Sequence, residues 1–462
     1  MTDLQKILQG GFNMDAQKKQ GTSTKELKQV LSFTDLMGTA VGQIIGAGIM
    51  TLMGIAIAIT GKGVPFAFLI SAILVICASI PYVIICSTVR VRGGNYTMVS
   101  MLAGKRLAGA YIILYIFANI SIAMYALAFA DYFAALFGMT HTKIIALIIL
   151  TFVYILNFMG IDKMAKFQNI IVLLMCIALG LFAVMGIPKM QPGYFDGKVL
   201  LHGVSGLLQA GGLLTFATGG ASSIANLSAE AKNPTRDIPL AIIVSTFAVA
   251  ILYGVIAFVA AGVLPIEEVA GQSLAKVAQA VLSKPLYIFF MVCGAMFALL
   301  STLNAQLGWC SKPIMQACDD GWLPKKLAYV HPKYKTPVII LTIFYGIGVI
   351  CIVSGLSIRI LGNLCVVAAQ LAAMAICIFT YRLPRIAPNG WQHSKFRTSQ
   401  GVLTLYVCLA TAAGLFNIYL NASQLTKPLL IGNAIVLVGA LIYSQIRSKY
   451  TTYDVSFEEM DA

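Results

Sequence analysis

Long apolar runs dominate this chain. Each is about as long as the roughly 20 residues a helix needs to cross a bilayer. Twelve such runs can be read along the 462 residues, beginning near Phe33, Val64, Leu107, Thr142, Phe167, Leu200, Ile238, Pro285, Pro337, Ile360, Gly401 and Pro428. They are continuous rather than alternating apolar with polar, which argues against a transmembrane β-barrel. Only 11% of the residues are charged, against about 25% in a soluble domain. A water-soluble surface of ordinary composition is therefore excluded, and so is a disordered chain, which needs low hydrophobicity and high charge. The expected fold is an all-α membrane protein of twelve transmembrane helices.

Twelve crossings put both termini on one side. With the termini cytoplasmic, 24 of the 32 Lys and Arg fall in inner segments, and Lys62, Lys143, Lys189, Lys198, Lys276, Lys284, Arg359 and Lys427 fall outside. The positive-inside rule then orients the chain with both ends in the cytoplasm, in the plasma membrane. The net charge of +15 is spread over short loops, so no nucleic-acid partner is expected; the lipid bilayer is. The polar N-terminus lacks a basic region followed by an apolar core, so no cleaved signal peptide is expected. The acidic tail (Glu458, Glu459, Asp461) is expected to be mobile. None of the ten cysteines falls in an outer loop, so no disulfide is expected. No Cys/His spacing suggests a metal or other cofactor site.

Two runs are interrupted by glycine at membrane depth. The first holds Gly42, Gln43, Ile44, Ile45, Gly46, Ala47 and Gly48; the sixth holds Phe216, Ala217, Thr218, Gly219, Gly220, Ala221 and Ser222. Glycine weakens a helix, and unwound backbone inside a membrane is tolerated only against protein or a polar cavity. Gly38, Gly42 and Gly46 also form a small-residue stripe suited to helix packing, and both readings can hold together. Matching interrupted runs in two halves point to an inverted-repeat transporter with a midplane site. Helix N-termini there would meet a carboxylate and free carbonyls an ammonium, which suits a zwitterionic amino acid. Asp131 is the one ionisable residue clearly inside a run; its position near the outer end also fits a solvated helix end.

Three stretches carry a family resemblance: Gly42 to Met50; Phe216 to Pro239, with Gly219-Gly220 and Glu230…Asn233-Pro234…Arg236; and Asp320-Gly321-Trp322-Leu323-Pro324…Thr336-Pro337. The chain resembles the amino acid–polyamine–organocation superfamily, nearest in motif to its neutral amino acid exchangers. The resemblance implies a LeuT-like fold: repeat 1 over 32–190, repeat 2 over 191–382, and two further helices over 383–447. A cytoplasmic segment (1–31) and a tail (448–462) flank them. It implies that Gly46, Ala47 and Gly48 hold the substrate carboxylate, that the carbonyls of Phe216, Ala217 and Thr218 hold the ammonium, and that Ile44, Ile45, Gly219, Gly220 and Ser222 belong to the same substrate site. Phe216 would also cover the substrate as a gate.

Glu230 is expected to pair with Lys232 or Arg236 as an inner latch, and Asn233-Pro234 to end the sixth span. Ser301 and Thr302 are hydroxyls of the type that hold Na⁺ in sodium-coupled relatives; they also suit bonds to their own helix. The expected function is secondary transport of an amino acid, by exchange or by Na⁺- or H⁺-coupled symport. A channel would need a filter or a charged ring, and an enzyme a clustered set of ionisable groups; neither is present in the sequence. Loop 138–143 has no Cys, so no disulfide-linked partner subunit is expected.

Overall fold

A computed structural model describes residues 23–195, 199–356, 358–423, 425–451 and 457–459. Most of the N-terminal segment and Asp461 lie outside them. Helix α1 (Phe33–Ile44) is followed after a two-residue break by α2 (Ala47–Thr60). Helix α3 (Val64–Thr88) leads into strand β1 (Val89–Val91) and α4 (Gly94–Ala103). Helices α5 (Lys105–Ala118) and α6 (Ser121–Phe137) meet at an irregular step, followed by α7 (Thr142–Phe158) and α8 (Ile161–Gly186). Helix α9 (Gly203–Thr218) passes through Gly219-Gly220 into a 3₁₀ segment, Ala221–Leu227, and α10 (Pro234–Gly262) returns. A π-helical turn, Phe290–Met296, precedes α11 (Phe297–Trp309), and α12 (Ser311–Asp319) follows. The remaining long helices are α13 (Val338–Val353), α14 (Ile358–Phe379), α15 (Gln400–Ser423) and α16 (Lys427–Arg447).

Among the described residues, seven helical stretches are long and apolar enough to cross a membrane: Gly48–Thr88, Lys105–Phe137, Ile161–Lys189, Pro234–Gly262, Lys284–Asp319, Gln400–Ser423 and Lys427–Arg447. Two apolar helices, α7 and α13, are shorter. The expected twelve exceed this number partly because the glycine breaks divide two runs into short pieces. The periphery is apolar: Ile148, Leu173, Ile251 and Ile435 are each 62–66% exposed. Apolar residues thus cover both the core and the outer face, as a helix bundle in lipid requires.

The interior-facing helices carry the site. Helix α3 packs along α10 and α9, while α1 is enclosed by α8, α10 and α11. Helix α1 starts in a capping box: the Asp35 backbone N–H donates to Ser32 Oγ (3.4 Å), and the Ser32 N–H donates to Asp35 Oδ2 (2.9 Å). Asp35 also accepts from Asn169 Nδ2 on α8 (2.8 Å). Ser32→Ala should therefore lower stability by about 1 kcal/mol, measured by thermal unfolding in detergent.

The tail departs from expectation. Phe457–Glu459 forms strand β2, antiparallel to β1, with Glu458 opposite Arg90 and Glu459 opposite Val89. Backbone pairing, which periodicity in so short a segment does not reveal, holds those residues in place.

Candidate functional site

The two breaks lie against each other. At the first, Ile45 (φ −78°, ψ 90°) and Gly46 (φ −124°, ψ −152°) leave the helical region. The first-turn N–H groups of α2 therefore have no intrahelical acceptors. At the second, Gly219 is extended and Gly220 has φ +119°, a conformation that L side chains rarely adopt. A Cβ on Gly220 would lie 3.0 Å from the Gln43 carbonyl oxygen, and one on Gly48 would lie 2.8 Å from Ala217 Cα. Glycine at these positions is what lets the two interrupted elements touch.

A cavity of about 290 Å³ adjoins this junction. Tyr82, Tyr111, Tyr115, Tyr125 and Trp309 form aromatic walls; Gln43, Asn95, Asn119, Asn226 and Gln306 supply amides; Gly220, Ser222 and Ser223 come from the second break. No Asp, Glu, Lys or Arg lines it. Trp309 Nε1 donates to Gln43 Oε1 (3.2 Å), and Gln306 Nε2 donates to Asn119 Oδ1 (3.0 Å) and Ser121 Oγ (2.8 Å). The α5–α6 step at Asn119 thus faces the cavity. A second cavity of about 240 Å³, lined by Gly219, Gly220, Ser222 and Gln370 among others, also adjoins the second break.

The expected site residues divide accordingly. Gly220 and Ser222 line the main cavity. Ile44, Ile45, Gly46 and Gly48 are buried at the first break, and Ala47 opens α2. Ala217 is buried against Gly48, and Thr218 is buried with its hydroxyl 2.5 Å from that of Ser71. Phe216, Ala217 and Thr218 form the last turn of α9, so the unwound residues are Gly219 and Gly220, a step later than expected. Phe216 is 51% exposed and is not among the residues lining either cavity. Asp131 is likewise exposed.

Ser301 and Thr302 both reach the first break. Their hydroxyls donate to the Gly42 carbonyl (3.1 and 3.0 Å) and to Ala298 O on their own helix (2.9 and 3.0 Å). A buried amide chain runs beside them: Asn157 Nδ2 donates to Asn304 Oδ1 (3.0 Å), Asn304 Nδ2 to Gln168 Oε1 (2.8 Å), and Gln168 Nε2 to Gly38 O (3.5 Å). Sequence reasoning missed these amides, because isolated Asn and Gln in apolar runs carry no spacing signal.

The latch needs correction. Lys232 and Arg236 are exposed, whereas Glu230 is buried, so neither cation is its partner. Glu230 Oε2 lies 3.2 Å from Lys312 Nζ, with side chains 1% and 4% exposed. Burial pushes the Glu230 carboxyl above the usual carboxylate range, against the pull of the Lys312 ammonium. Pro234 begins α10 rather than ending a helix, with Asn233 at the cap position, which suits proline because the first helical position has no intrahelical use for the N–H that proline lacks. Around the pair, Leu31 N donates to Glu230 O (3.0 Å), Lys232 N to Leu31 O (3.0 Å), and Arg90 to Ala231 O (2.8 Å). Ser23 is tied to Asp319 through its N–H and hydroxyl (both 2.8 Å). Among the described residues no metal-binding cluster occurs.

Comparison with known proteins fits this architecture. A family model for amino acid permeases matches residues 31–441. A branched-chain amino acid permease of Bacillus subtilis is 26% identical over 347 residues, covering 70% of this chain and 74% of that protein. The corresponding permease of Lactococcus lactis is 28% identical, covering 67% and 72%. A methylthioribose transporter of Bacillus subtilis is 25% identical, covering 68% and 73%. These findings indicate a transporter rather than an enzyme, and together with the apolar helices they make the chain a multi-pass membrane protein. The chain belongs to the amino acid permease family of the amino acid–polyamine–organocation superfamily.

Proposed function

We propose that this protein is a secondary transporter of neutral amino acids in the cell membrane, with both termini cytoplasmic. In this reading it has twelve spans in a LeuT-like arrangement and works by alternating access. The observation that carries it is the contact of the two breaks, Ile45-Gly46 and Gly219-Gly220, beside a cavity with amide and aromatic walls and no ionised lining. The substrate carboxylate would take the free N–H groups at the start of α2, where the helix dipole favours negative charge. The ammonium would take the carbonyls at the end of α9. Without ionised side chains in the lining, a neutral side chain is the economical match. The branched-chain permeases among the relatives favour an aliphatic one.

Exchange without a coupling ion is the preferred mode. The Gly42 carbonyl already accepts from the Ser301 and Thr302 hydroxyls, and the Gln168 amide faces Gly38 O. Hydroxyl and carbonyl oxygens are also suitable hard ligands for Na⁺, which keeps symport as the second reading. Counterflow in proteoliposomes tests both. Vesicles preloaded with leucine should accumulate labelled leucine, at equal rates in sodium and choline media. Failure with every neutral amino acid would sink the substrate reading; strong stimulation by sodium would favour symport.

A further inference from the structure

A further groove is lined by none of the residues of the two breaks. It has a volume of about 370 Å³ and runs between the second half of α3 and the start of α10. Its walls are branched aliphatic: Ile76, Ile80 and Ile84 from α3, Ile242 and Ile243 from α10. Exposed Ile73 and Val244, on the same two helices, continue that apolar surface. One end is closed by the segment before α15, which brings Lys395, Arg397 and Thr398. That segment is docked on the end of α3: Ser394 Oγ lies 2.8 Å from Ser87 Oγ, and a Cβ on Gly390 would meet Thr88 O.

The polar end is strongly one-sided. Lys395 and Arg397 are exposed, and among the described residues neither side chain has a hydrogen-bond or ion-pair partner. No Asp or Glu lines the groove. The Thr398 hydroxyl is buried without a partner, leaving a donor beside the two cations. A cleft with two unmatched cations and a spare hydroxyl at one end, and isoleucine walls at the other, matches an amphiphile with an anionic head and a hydrocarbon tail. We propose that the groove binds one anionic glycerophospholipid, with its phosphate against Lys395, Arg397 and Thr398 and an acyl chain along Ile76, Ile80 and Ile242. Basic pockets between membrane helices bind acidic head groups by this chemistry.

The test is a thermal-shift titration of the full-length protein in a neutral maltoside detergent. Dioleoyl-phosphatidylglycerol should raise the melting temperature saturably, because a ligand that binds only the folded state stabilises it. Dioleoyl-phosphatidylcholine and glycerol phosphate should not, the first lacking net charge and the second the acyl chain. Each cation is worth roughly fivefold in affinity, so the Lys395→Gln/Arg397→Gln double variant should need about 25-fold more phosphatidylglycerol. Ile80→Trp, which fills the groove and keeps both cations, should also weaken the response. Equal stabilisation by phosphatidylcholine, a full response to glycerol phosphate, or an unchanged titration in the double variant would each overturn the proposal.

Discussion

Gly220→Val should reduce counterflow to background while leaving the protein inserted and purifiable. A valine there must hold φ near +119°, which costs an L residue about 1–3 kcal/mol. Its Cβ would also stand 3.0 Å from the Gln43 carbonyl and 3.2 Å from Gln43 Cγ. The cheapest relief is to push the two breaks apart, which separates the groups proposed to hold the carboxylate and the ammonium. Gly48→Val should behave alike, since its Cβ would meet Ala217 Cα, a backbone atom that cannot rotate away. Insertion should survive because added apolar atoms favour partition into the bilayer. The control is Gly346→Ala on α13, where an added Cβ meets nothing within 4 Å; transport should stay near wild type. Normal counterflow by Gly220→Val and Gly48→Val would reject the junction of the breaks as the substrate site.

Lys312→Met should be the most destabilising single change in the latch. It leaves the Glu230 carboxyl buried without its 3.2 Å partner, and stranding one member of a buried pair costs about 3–5 kcal/mol. The Glu230→Gln/Lys312→Met double variant should recover most of the loss, because no unpaired charge then remains inside. The single variant should also respond to pH with a definite sign. Burial already raises the Glu230 carboxyl, and losing the ammonium raises it further. A carboxyl raised in the folded state contributes its stability below the unfolded value and loses it as pH rises through the folded one. The melting temperature of Lys312→Met should therefore climb as pH falls from 8 toward 5, more steeply than that of wild type. A flat profile, or a double variant as unstable as the single, would show that the pair carries no such energy.

Much of the helical order was legible because apolar run length is a strong signal. Phe33, Val64 and Thr142 were expected as starts and are helix starts in the structure. Where amphipathic or polar turns precede the apolar run, the helix begins earlier, at Ile161 rather than Phe167 and at Pro234 rather than Ile238. The two breaks were visible as paired glycines, yet their extent was not. Phe216 to Thr218 remain helical because nothing in those residues disfavours a last turn before Gly219. The partner of Glu230 was out of reach for a different reason. Lys312 is remote in sequence, and composition cannot tell a buried lysine from a solvated one in a short basic loop. The cavity walls from Asn119, Gln306 and Trp309 belong to the same class of long-range facts.

The ribbon of β1 and β2 has a consequence for biogenesis. It joins Val89–Val91 to Phe457–Glu459, segments about 370 residues apart, and at 5–20 residues per second their syntheses are separated by roughly 20–70 seconds. Through that interval the end of α3 stands with an unpaired strand edge beside a growing membrane protein. Edges of this kind invite foreign pairing. The strand is only three residues long and carries Arg90 at its centre, both of which blunt that hazard. The nascent protein is thereby given a short, charged edge that can wait for its own distant partner.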